Sequence, residues 1–308
     1  MVSIIIVTYN SNQFLLETIK SIYNIIKSVE FEIIVWDNAS SLPPVSTSQF
    51  PFDVYIGDQN EGFGSGCNKG SEKAKGDFLL FLNPDAILLN DKLKDFCNIL
   101  NDGDVGIIGC AHYDGSFKIT KSSRSFPDLK SAFCNLFFLN ALFPQSKIFG
   151  DYEKTWFSHL EKSTIDVVGG AFLLIKRDLF EKICGFDERF FLYTEETDLC
   201  YRLNSLGYKV LFNPEMKIQH FQGKSTPNSF TSVRNLFVSE NLFVKLHHRK
   251  IYWIIFILVN LLNKLNRAFI CFLFGIYKND KSQVEKGKLF FKASIWGNPF
   301  KTIYFKPQ

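Results

Sequence analysis

Three carboxylates follow a run of aromatic residues in the second half of the chain. Residues 186–202 read FDERFFLYTEETDLCYR, so Glu195, Glu196 and Asp198 begin a predicted helix directly behind the aromatic side chains. Apolar surroundings raise the pKa of a carboxyl group, and a carboxylate in such a place can take a proton from a hydroxyl group. The arrangement is typical of a general base in an active site.

A structural interpretation of the same acids competes with the chemical one. Thr194 would cap the helix, and acidic residues are favoured in a first helical turn because they interact well with the helix dipole. Asp198 and Arg202 are four residues apart, a spacing that allows an ion pair along one helix face. We predict the structural role for Asp198 and a chemical role for Glu196.

Two other segments carry residues suited to binding a cation. Asp85 ends the tripeptide Asn83-Pro84-Asp85. A solitary histidine, His220, lies in the segment IQHF at residues 218–221. Carboxylate oxygens are ligands of hard divalent cations such as Mg²⁺ and Mn²⁺. An Asn-Pro-Asp sequence is also a common turn, and a lone histidine is more often structural. From the residues alone both interpretations stay open.

Alternating strands and helices must position these residues. Strand-like apolar segments lie at 3–8, 31–36, 54–57, 78–82 and 105–109, with helix-like segments between them. This alternation predicts an α/β fold whose parallel sheet is covered by helices on both faces. Ligands of such sheets bind beyond the carboxyl ends of the strands. Tyr9, Asp37 and the Asn83–Asp85 segment all fall there.

Length and cysteine content indicate one intracellular domain with an appendage. The 308 residues can bury a full core. The seven cysteines show no Cys-x-x-Cys spacing and are odd in number, which argues against a disulfide framework or a zinc site. A first strand that begins at Val2 leaves no room for a secretory signal peptide. We therefore predict a cytoplasmic location.

Charge is distributed unevenly along the chain. Residues 234–308 contain 13 lysine and arginine residues and 3 acidic ones, whereas residues 1–233 contain 22 and 28. A basic segment is typical of proteins that bind nucleic acid or anionic lipid. Here the basic residues alternate with apolar runs such as residues 251–259, which favours lipid. We predict an anionic membrane surface, and no nucleic acid, as a partner.

The apolar segment at residues 251–277 predicts a helix at the membrane interface. Its longest uninterrupted run is well below the roughly 20 residues that span a bilayer. Positions 260, 263, 264 and 267 form one polar helical stripe, and basic residues precede the segment at 245–250. We predict peripheral attachment to the inner face of the cell membrane. Alternatively, these helices pack on the rest of the chain or on a second copy in a homo-oligomer.

Taken in order, these motifs resemble those of the family 2 glycosyltransferases with the GT-A fold. The rhamnosyltransferase-like bacterial members are the most similar. The matching segments are the opening strand, VWDN at 35–38, the glycine-rich segment 60–70, NPD at 83–85, EE at 195–196 and His220. The resemblance covers about residues 1–225. It implies a GT-A catalytic domain at residues 1–230, followed by a basic, apolar helical region at residues 231–308.

The resemblance also implies an activity. The chain would be an inverting, metal-dependent glycosyltransferase that uses a nucleotide-diphosphate sugar, such as dTDP-rhamnose or a UDP-sugar. Its acceptor would be a glycan or a lipid-linked glycan in cell-surface polysaccharide synthesis.

Several residues are assigned to the nucleotide by the resemblance. Thr8 and Tyr9 would flank the base, and Asp37 would accept the N–H of uracil or thymine. Asp37 has a competing interpretation as part of an Asx-turn with Asn38 and Ser40. Its position after a buried strand favours the nucleotide.

The glycine-rich segment 60–70 (NEGFGSGCNKG) is neither a dinucleotide-binding GxGxxG turn nor a P-loop. It matches the Asn-x-Gly-Phe segment of the family, which lies under the nucleotide. Asn60 is therefore predicted to contact the nucleotide, as is Asn83. Gly170, in a strand-like segment at 167–176, is predicted to line the substrate site.

Asp85 corresponds to the last position of the DxD motif of metal-dependent GT-A enzymes, with Asn83 in place of the first aspartate. Such enzymes often complete the metal site with a downstream histidine. His220 lies in a matching His-x-x-Gly-x-Ser segment that includes Gly223 and Ser225. Asp85 and His220 are therefore predicted to bind Mg²⁺ or Mn²⁺.

Glu195 and Glu196 correspond to a Glu-Asp pair of the family, whose second member is the catalytic base. Glu196 is therefore predicted to be the base, and Glu195 to orient the acceptor. Glutamate is one methylene longer than aspartate, so which of the two reaches the acceptor hydroxyl stays open.

Two other functions compete with this one. A sugar-nucleotide nucleotidyltransferase also combines a nucleotide-binding α/β domain with a metal, but its glycine-rich first loop is absent, since residues 8–11 read TYNS. A non-catalytic scaffold at the membrane would not need Asp85, Glu196 and His220. Donor hydrolysis by the purified protein separates the scaffold from an enzyme.

Overall fold

The computed structural model describes residues 1–221 and 230–296. The elements up to residue 113 are β1 (Val2–Thr8), α1 (Asn12–Ile25), β2 (Phe31–Asp37), β3 (Asp53–Ile56), α2 (Phe63–Ser71), β4 (Phe78–Leu82), β5 (Ala86–Leu88), α3 (Leu93–Asn101) and β6 (Val105–Tyr113). Those up to residue 220 are β7 (Ile119–Thr120), β8 (Ser123–Arg124), α4 (Leu129–Leu136), α5 (Leu139–Leu142), β9 (Ser163–Ile165), β10 (Val167–Val168), β11 (Phe172–Lys176), α6 (Arg177–Lys182), α7 (Glu195–Ser205) and β12 (Lys209–His220). Three helices follow, namely α8 (Phe230–His247), α9 (Lys250–Tyr277) and α10 (Lys281–Trp296).

The central sheet has the strand order β3-β2-β1-β4-β11-β6-β12-β5, with β7 beside β6 and β9 beside β12. Strands β3, β2, β1 and β4 are mutually parallel, and β6 is parallel to β12. The predicted α/β fold with a mainly parallel sheet and C-terminal helices is confirmed. Strand β11 runs antiparallel between β4 and β6. The sequence did not indicate this direction, because a short buried strand has the same apolar pattern in either orientation.

Strand register brings the predicted site residues to one edge of the sheet. Thr8 is the register partner of Asp37, so the ends of β1 and β2 lie side by side. Leu82 pairs with Phe172, and the Asn83 amide donates to the Ala171 carbonyl at 3.1 Å. The NPD segment and the residues before β11 are therefore neighbours.

The two faces of the sheet are covered by different helices. In β1, Ile4 and Ile6 belong to one core cluster, which includes side chains of α1 and α3. Ile5 and Val7 belong to the other, with side chains of α2, α6 and α7. This alternation follows from the two-residue period of a strand. Helix α7 is thus packed on the sheet, which fixes the position of the glutamates at its start.

The C-terminal helices share a core with the rest of the protein. Phe243 of α8 and Phe256 of α9 are buried in one cluster with Phe190, which lies just before α7, and Ala132 of α4. The predicted domain boundary at residue 230 adjoins residues 222–229, which lie outside the described part, and it stays a prediction.

Helix α9 carries its polar stripe on the inside. Asn260, Asn263 and Lys264 are each no more than 9% exposed, and the Arg267 guanidinium lies over the Phe138 ring. The apolar side chains at 251, 255, 258, 262, 265, 269, 273 and 276 are exposed, and their spacing of three or four residues places them on one face. The polar stripe therefore packs against the protein, as the alternative interpretation expected. The expected orientation of α9, with its polar stripe facing water as in an interfacial helix, is therefore wrong.

Candidate active site

A cavity of about 750 Å³ lies where β1 and β4 end and α7 begins. Eight predicted site residues line it, namely Thr8, Tyr9, Asn60, Asn83, Gly170, Glu195, Glu196 and His220. The two remaining ones, Asp37 and Asp85, are buried beside it, at 0% and 2% exposed. The fold therefore gathers residues that are up to about 200 positions apart in the sequence into one site.

The strand ends supply the wall assigned to the nucleotide. Thr8 is buried, and its hydroxyl oxygen has no hydrogen-bond partner among the described residues. Tyr9 is 48% exposed at the same edge, so its ring is accessible. A buried hydroxyl without a partner is costly, and a bound polar ligand would satisfy it.

Asp37 makes the turn that competed with its nucleotide role. Its Oδ2 accepts from the Ser40 amide at 2.8 Å, and its Oδ1 accepts from the Ser40 hydroxyl at 2.5 Å. Asn38 instead donates to the Gly62 carbonyl at 2.9 Å. The role of Asp37 in reading a base stays a prediction.

The Asn60 segment is held against the loop before α7. The Asn60 side-chain oxygen accepts from the Gly62 amide at 3.0 Å, and Gly62 has a φ of 97°. A Cβ atom at position 62 would lie 2.2 Å from the Phe191 carbonyl oxygen. Only glycine fits this close approach, so the glycine fixes the distance between the two cavity walls.

Asp85 and His220 meet across strands β5 and β12. His220 Nε2 lies 3.2 Å from Asp85 Oδ1 and 3.3 Å from Asn83 Nδ2. His220 Nδ1 is buried and has no hydrogen-bond partner among the described residues. Gly223 and Ser225, the other members of the predicted segment, lie outside the described residues.

The donor set at this point fits a divalent cation that takes its other ligands from a diphosphate. Within residues 1–221 and 230–296, no three His, Cys, Asp or Glu side chains are grouped closely enough to hold a metal by themselves. Mg²⁺ is commonly bound by one or two carboxylates together with substrate phosphates, and a histidine is a softer additional ligand. Asp85 and His220 match that arrangement and do not match a closed structural metal site.

His112 in β6 is a cavity residue that the sequence analysis did not identify. Its ring lies 5.8 Å from that of His220, centroid to centroid, and it is 2% exposed. Burial, with smaller contributions from His220 and His159, holds its pKa well below the usual value. A histidine inside an apolar strand was the only signal, and such a residue is usually structural.

The two glutamates stand on a backbone of unusual conformation. Tyr193 and Thr194 have φ angles of 69° and 72°, the left-handed region that non-glycine residues rarely adopt. Thr194 occupies the N-cap position of α7, but its side chain makes no capping hydrogen bond, so this part of the structural interpretation does not hold. Strain of this kind persists where surrounding structure imposes it, and it is concentrated at functional sites. The turn directs Glu195 and Glu196 towards the cavity that both residues line.

Asp198 has the predicted structural role. Arg202 Nε donates to its Oδ2 at 2.7 Å, which confirms the pair along the helix. His247 of α8 also lies 2.7 Å from Asp198 Oδ1, a partner that the sequence did not reveal. Asp198 therefore joins α7 to the C-terminal helices.

The two glutamates have different surroundings. Glu195 is buried, and burial followed by the charge of Glu196 raises its pKa well above the usual value. Its Oε2 has no hydrogen-bond partner among the described residues. Glu196 Oε1 instead lies 3.5 Å from Arg124 Nη2. Burial and the neighbouring carboxyl therefore favour the protonated form of Glu195, whereas Glu196 has the Arg124 guanidinium beside it.

Replacing Glu195 by Gln should stabilise the protein at high pH. Because the folded pKa is raised, the free energy of unfolding falls as pH rises from about 4.5 through the folded value. Glutamine cannot ionise, so the Glu195→Gln variant should unfold at a temperature higher by about 2 °C or more at pH 8. Thermal unfolding from pH 4.5 to 8 measures this. The difference should shrink towards pH 4.5, and a pH-independent difference would contradict the raised pKa.

Comparison with known proteins identifies the family. The family model described as "Glycosyl transferase family 2" matches residues 3–184. The chain belongs to glycosyl transferase family 2. It is a glycosyltransferase, and the predicted family is confirmed. The match includes the NPD segment and Gly170 but ends before Glu195 and His220.

Curated relatives agree with this assignment. Rhamnosyltransferase WbbL of Escherichia coli (strain K12) is 28% identical to this family 2 glycosyltransferase over 234 residues, which are 72% of this chain and 83% of WbbL. N-acetylglucosaminyl-diphospho-decaprenol L-rhamnosyltransferase of Mycobacterium tuberculosis (strain ATCC 25618 / H37Rv) is 37% identical over 59 residues. That second match spans only 19% of either chain.

Solved structures share the fold. The mannosyltransferase PcManGT of Pyrobaculum calidifontis, in complex with GDP-Man and Mn²⁺, superposes with a TM-score of 0.57 at 14% identity, covering 96% of this chain and 86% of PcManGT. GalNAc-T7 with UDP, GalNAc and Mn²⁺ gives a TM-score of 0.56 at 15% identity over 80% of this chain. This family 2 glycosyltransferase spans 47% of the GalNAc-T7 chain. At these identities the likeness shows the fold.

Proposed function

We propose that this protein is an inverting, metal-dependent glycosyltransferase that moves a sugar from dTDP-rhamnose or a UDP-sugar to a lipid-linked glycan. The observation that carries the proposal is that a single cavity is lined by Glu195, Glu196 and His220, with Asp85 in contact with His220. This arrangement supports the proposal, because an inverting transferase needs a general base and a cation that neutralises the departing diphosphate.

In the proposed reaction Glu196 is the base. It takes the proton of the acceptor hydroxyl while the acceptor oxygen bonds to the anomeric carbon and the bond to the diphosphate breaks. Glu195, which keeps its proton, donates a hydrogen bond to the acceptor. Mg²⁺ or Mn²⁺ held by Asp85 and His220 would neutralise charge on the departing diphosphate. Thr8, Tyr9 and Asn60 bind the nucleotide, and Gly170 leaves room beside Glu196 for the sugar.

The named relatives support the choice of substrates. WbbL is a rhamnosyltransferase, which favours dTDP-rhamnose as donor. The name of the mycobacterial relative specifies a lipid-linked diphosphate acceptor, which favours the same class here. PcManGT and GalNAc-T7 were both solved with Mn²⁺. Within this proposal Asp37 accepts the N–H of a pyrimidine base.

A panel of nucleotide sugars tests the donor. The purified protein should hydrolyse one donor slowly in the absence of acceptor, and the same donor should raise its unfolding temperature in the presence of Mn²⁺. dTDP-rhamnose is expected to give the largest effect. Equal affinity for ADP, UDP and dTDP would count against base reading by Asp37. Failure to hydrolyse or bind any nucleotide sugar would contradict the proposed function.

We also place the protein on the inner face of the cell membrane. Among the described residues, α9 is the one helix long and apolar enough to cross a membrane by length and composition. Its exposed face is apolar, and the region from residue 234 onward is rich in lysine and arginine. Because α9 also packs on α4 and α8, we propose that its outer face lies on the lipid surface and does not span it.

Liposome flotation tests this placement. The full chain should float with anionic vesicles and largely detach at high salt, since each basic residue near anionic lipid contributes about 1 kcal/mol. Replacing exposed Leu258, Leu262 and Phe269 by Ser should abolish flotation. The same change at Leu206, exposed elsewhere, is the control. Binding that resists salt and carbonate would indicate a spanning helix, and no flotation would indicate a protein interface.

A further inference from the structure

Arg124 is a charged cavity residue to which neither the motifs nor the family resemblance assigned a role. Lys121 and Arg124 are the lysine and arginine residues that line the cavity in the described part of the chain, and Lys121 is exposed. Arg124 Nη2 lies 3.5 Å from Glu196 Oε1. The glutamate side chain is 7% exposed, so this carboxylate has little water to compensate its charge.

The backbone of Arg124 is held by the same strand pair that shapes the substrate wall. Arg124 in β8 is the register partner of Val167 in β10. The Gly169 amide donates to the Ser122 carbonyl at 2.7 Å. A Cβ atom at Gly170 would lie 3.8 Å from Glu196 Cγ, so this strand pair runs directly beside the base. Arg124 therefore reaches Glu196 from a paired strand and not from an unpaired loop.

A second set of contacts ties the Arg124 segment to the C-terminal helices. The Ser125 amide donates to the Tyr152 carbonyl at 2.9 Å. The Tyr152 hydroxyl donates to Glu240 Oε1 of α8 at 2.8 Å. Asn260 of α9 donates to the other Glu240 oxygen at 3.4 Å. Helices α8 and α9 thus support the wall that carries Arg124.

The surroundings of Arg124 favour its charged form. Burial lowers its pKa, but the nearby acids outweigh burial and leave the pKa above the usual value. The titratable groups that face the Arg124–Glu196 pair are Glu195, Tyr152, Glu153, Cys200 and Glu240. A guanidinium beside a buried carboxyl group favours a negative charge on that group, and Arg124 lies beside Glu196.

We propose that Arg124 is a positioning residue whose guanidinium holds the Glu196 carboxylate and directs it at the acceptor hydroxyl. This inference rests on the proposed function. The acceptor proton moves to Glu196, the acceptor oxygen bonds to the anomeric carbon, and the diphosphate leaves with the electron pair of the broken bond. Arg124 acts through Glu196 and does not touch the reacting atoms.

The pH dependence of sugar transfer tests this role. Arg124→Gln should lower kcat/KM about 10-fold or more at pH 7 and move the acid limb of its pH profile upward by about one unit, because an adjacent cation lowers a carboxyl pKa by at least that much. Donor affinity, measured by calorimetry, should stay within about 2-fold of the wild type. Arg177→Gln is the matched control. The Arg177 side chain is 36% exposed and the Arg124 side chain is 35% exposed, and Arg177 also has an acidic partner, Glu181, at 3.9 Å.

Arg124→Lys supplies the conservative variant. Lysine retains the cation but not the planar fork, so the acid limb should stay near its wild-type position while kcat falls several-fold. If the unfolding temperature shows that Arg124→Gln does not fold, the kcat of Arg124→Lys tests the proposal instead. An unchanged kcat in Arg124→Lys overturns the proposal.

Other outcomes also overturn it. Activity of Arg124→Gln equal to that of Arg177→Gln would show no role for Arg124. Weaker donor binding with an unmoved acid limb would make Arg124 a phosphate ligand. A wild type that transfers no sugar from any donor contradicts the proposed function itself, whereas these outcomes in an active wild type concern Arg124 alone.

Discussion

Replacement of Glu196 by Gln should lower the rate of sugar transfer by about 10² or more. Glutamine keeps the shape of the side chain but cannot accept the acceptor proton. Glu196 lines the cavity and has Arg124 as its ion partner, which suits it to act as the base. Initial rates of transfer, with donor affinity measured separately, test this. Donor affinity should persist, because the base contacts the acceptor.

The neighbouring glutamate is the critical comparison. Glu195→Gln should retain more activity than Glu196→Gln, because glutamine can still donate a hydrogen bond to the acceptor. Glu181→Gln, at an exposed ion pair on α6, controls for the loss of a carboxylate. If Glu195→Gln is the inactive variant and Glu196→Gln is active, the two roles are reversed.

Replacement of Asp85 should abolish turnover that depends on a divalent cation. Asp85→Ala removes the one carboxylate of the NPD segment, and His220 alone is a weak site for a hard cation. Transfer should fall by about 10² or more, because the charge on the departing diphosphate is no longer neutralised. Rates measured across a Mn²⁺ titration, for the variant and the wild type, test this expectation.

A binding measurement separates loss of the metal from loss of the fold. In the wild type, Mn²⁺ should strengthen UDP or dTDP binding, and in Asp85→Ala this dependence should disappear. Asp85→Asn keeps the buried shape and should behave in the same way. Asp104→Ala, at an exposed pair with Lys209, is the control. Full wild-type activity in excess chelator would contradict a role for a metal.

The C-terminal region contacts the segment that carries the two glutamates. His247 contacts Asp198 of α7, and the Ser239 hydroxyl donates to the Leu192 carbonyl at 3.0 Å. With the Tyr152–Glu240 contact, these bonds connect α8 to the segment that presents the glutamates. Removing the region would leave the buried Asp198 without its histidine. Point substitutions on the outer face of α9 are therefore better tests of membrane binding than truncation.

The sequence by itself determined the family, the α/β fold and eight of the residues that line the cavity. These depend on local patterns, namely apolar strands of fixed length and polar residues directly after them. The carboxyl ends of parallel strands must meet at one edge of the sheet, so the strand pattern alone placed Thr8 and Asn83 together. The glutamates and His220 were identified by motif.

Only the tertiary structure decided which groups set the chemistry of those residues. Arg124 reaches Glu196 from 72 positions away through the β8–β10 pair, and no periodic pattern encodes that contact. Helix α9 is a second example. The hydrophobic pattern of its sequence locates a polar stripe but does not tell which side of the helix faces the protein. Asn260 and Lys264 are buried because Glu240 and the Phe237 ring of α8 offer them partners there. Contacts between distant elements, not local preference, decided both outcomes.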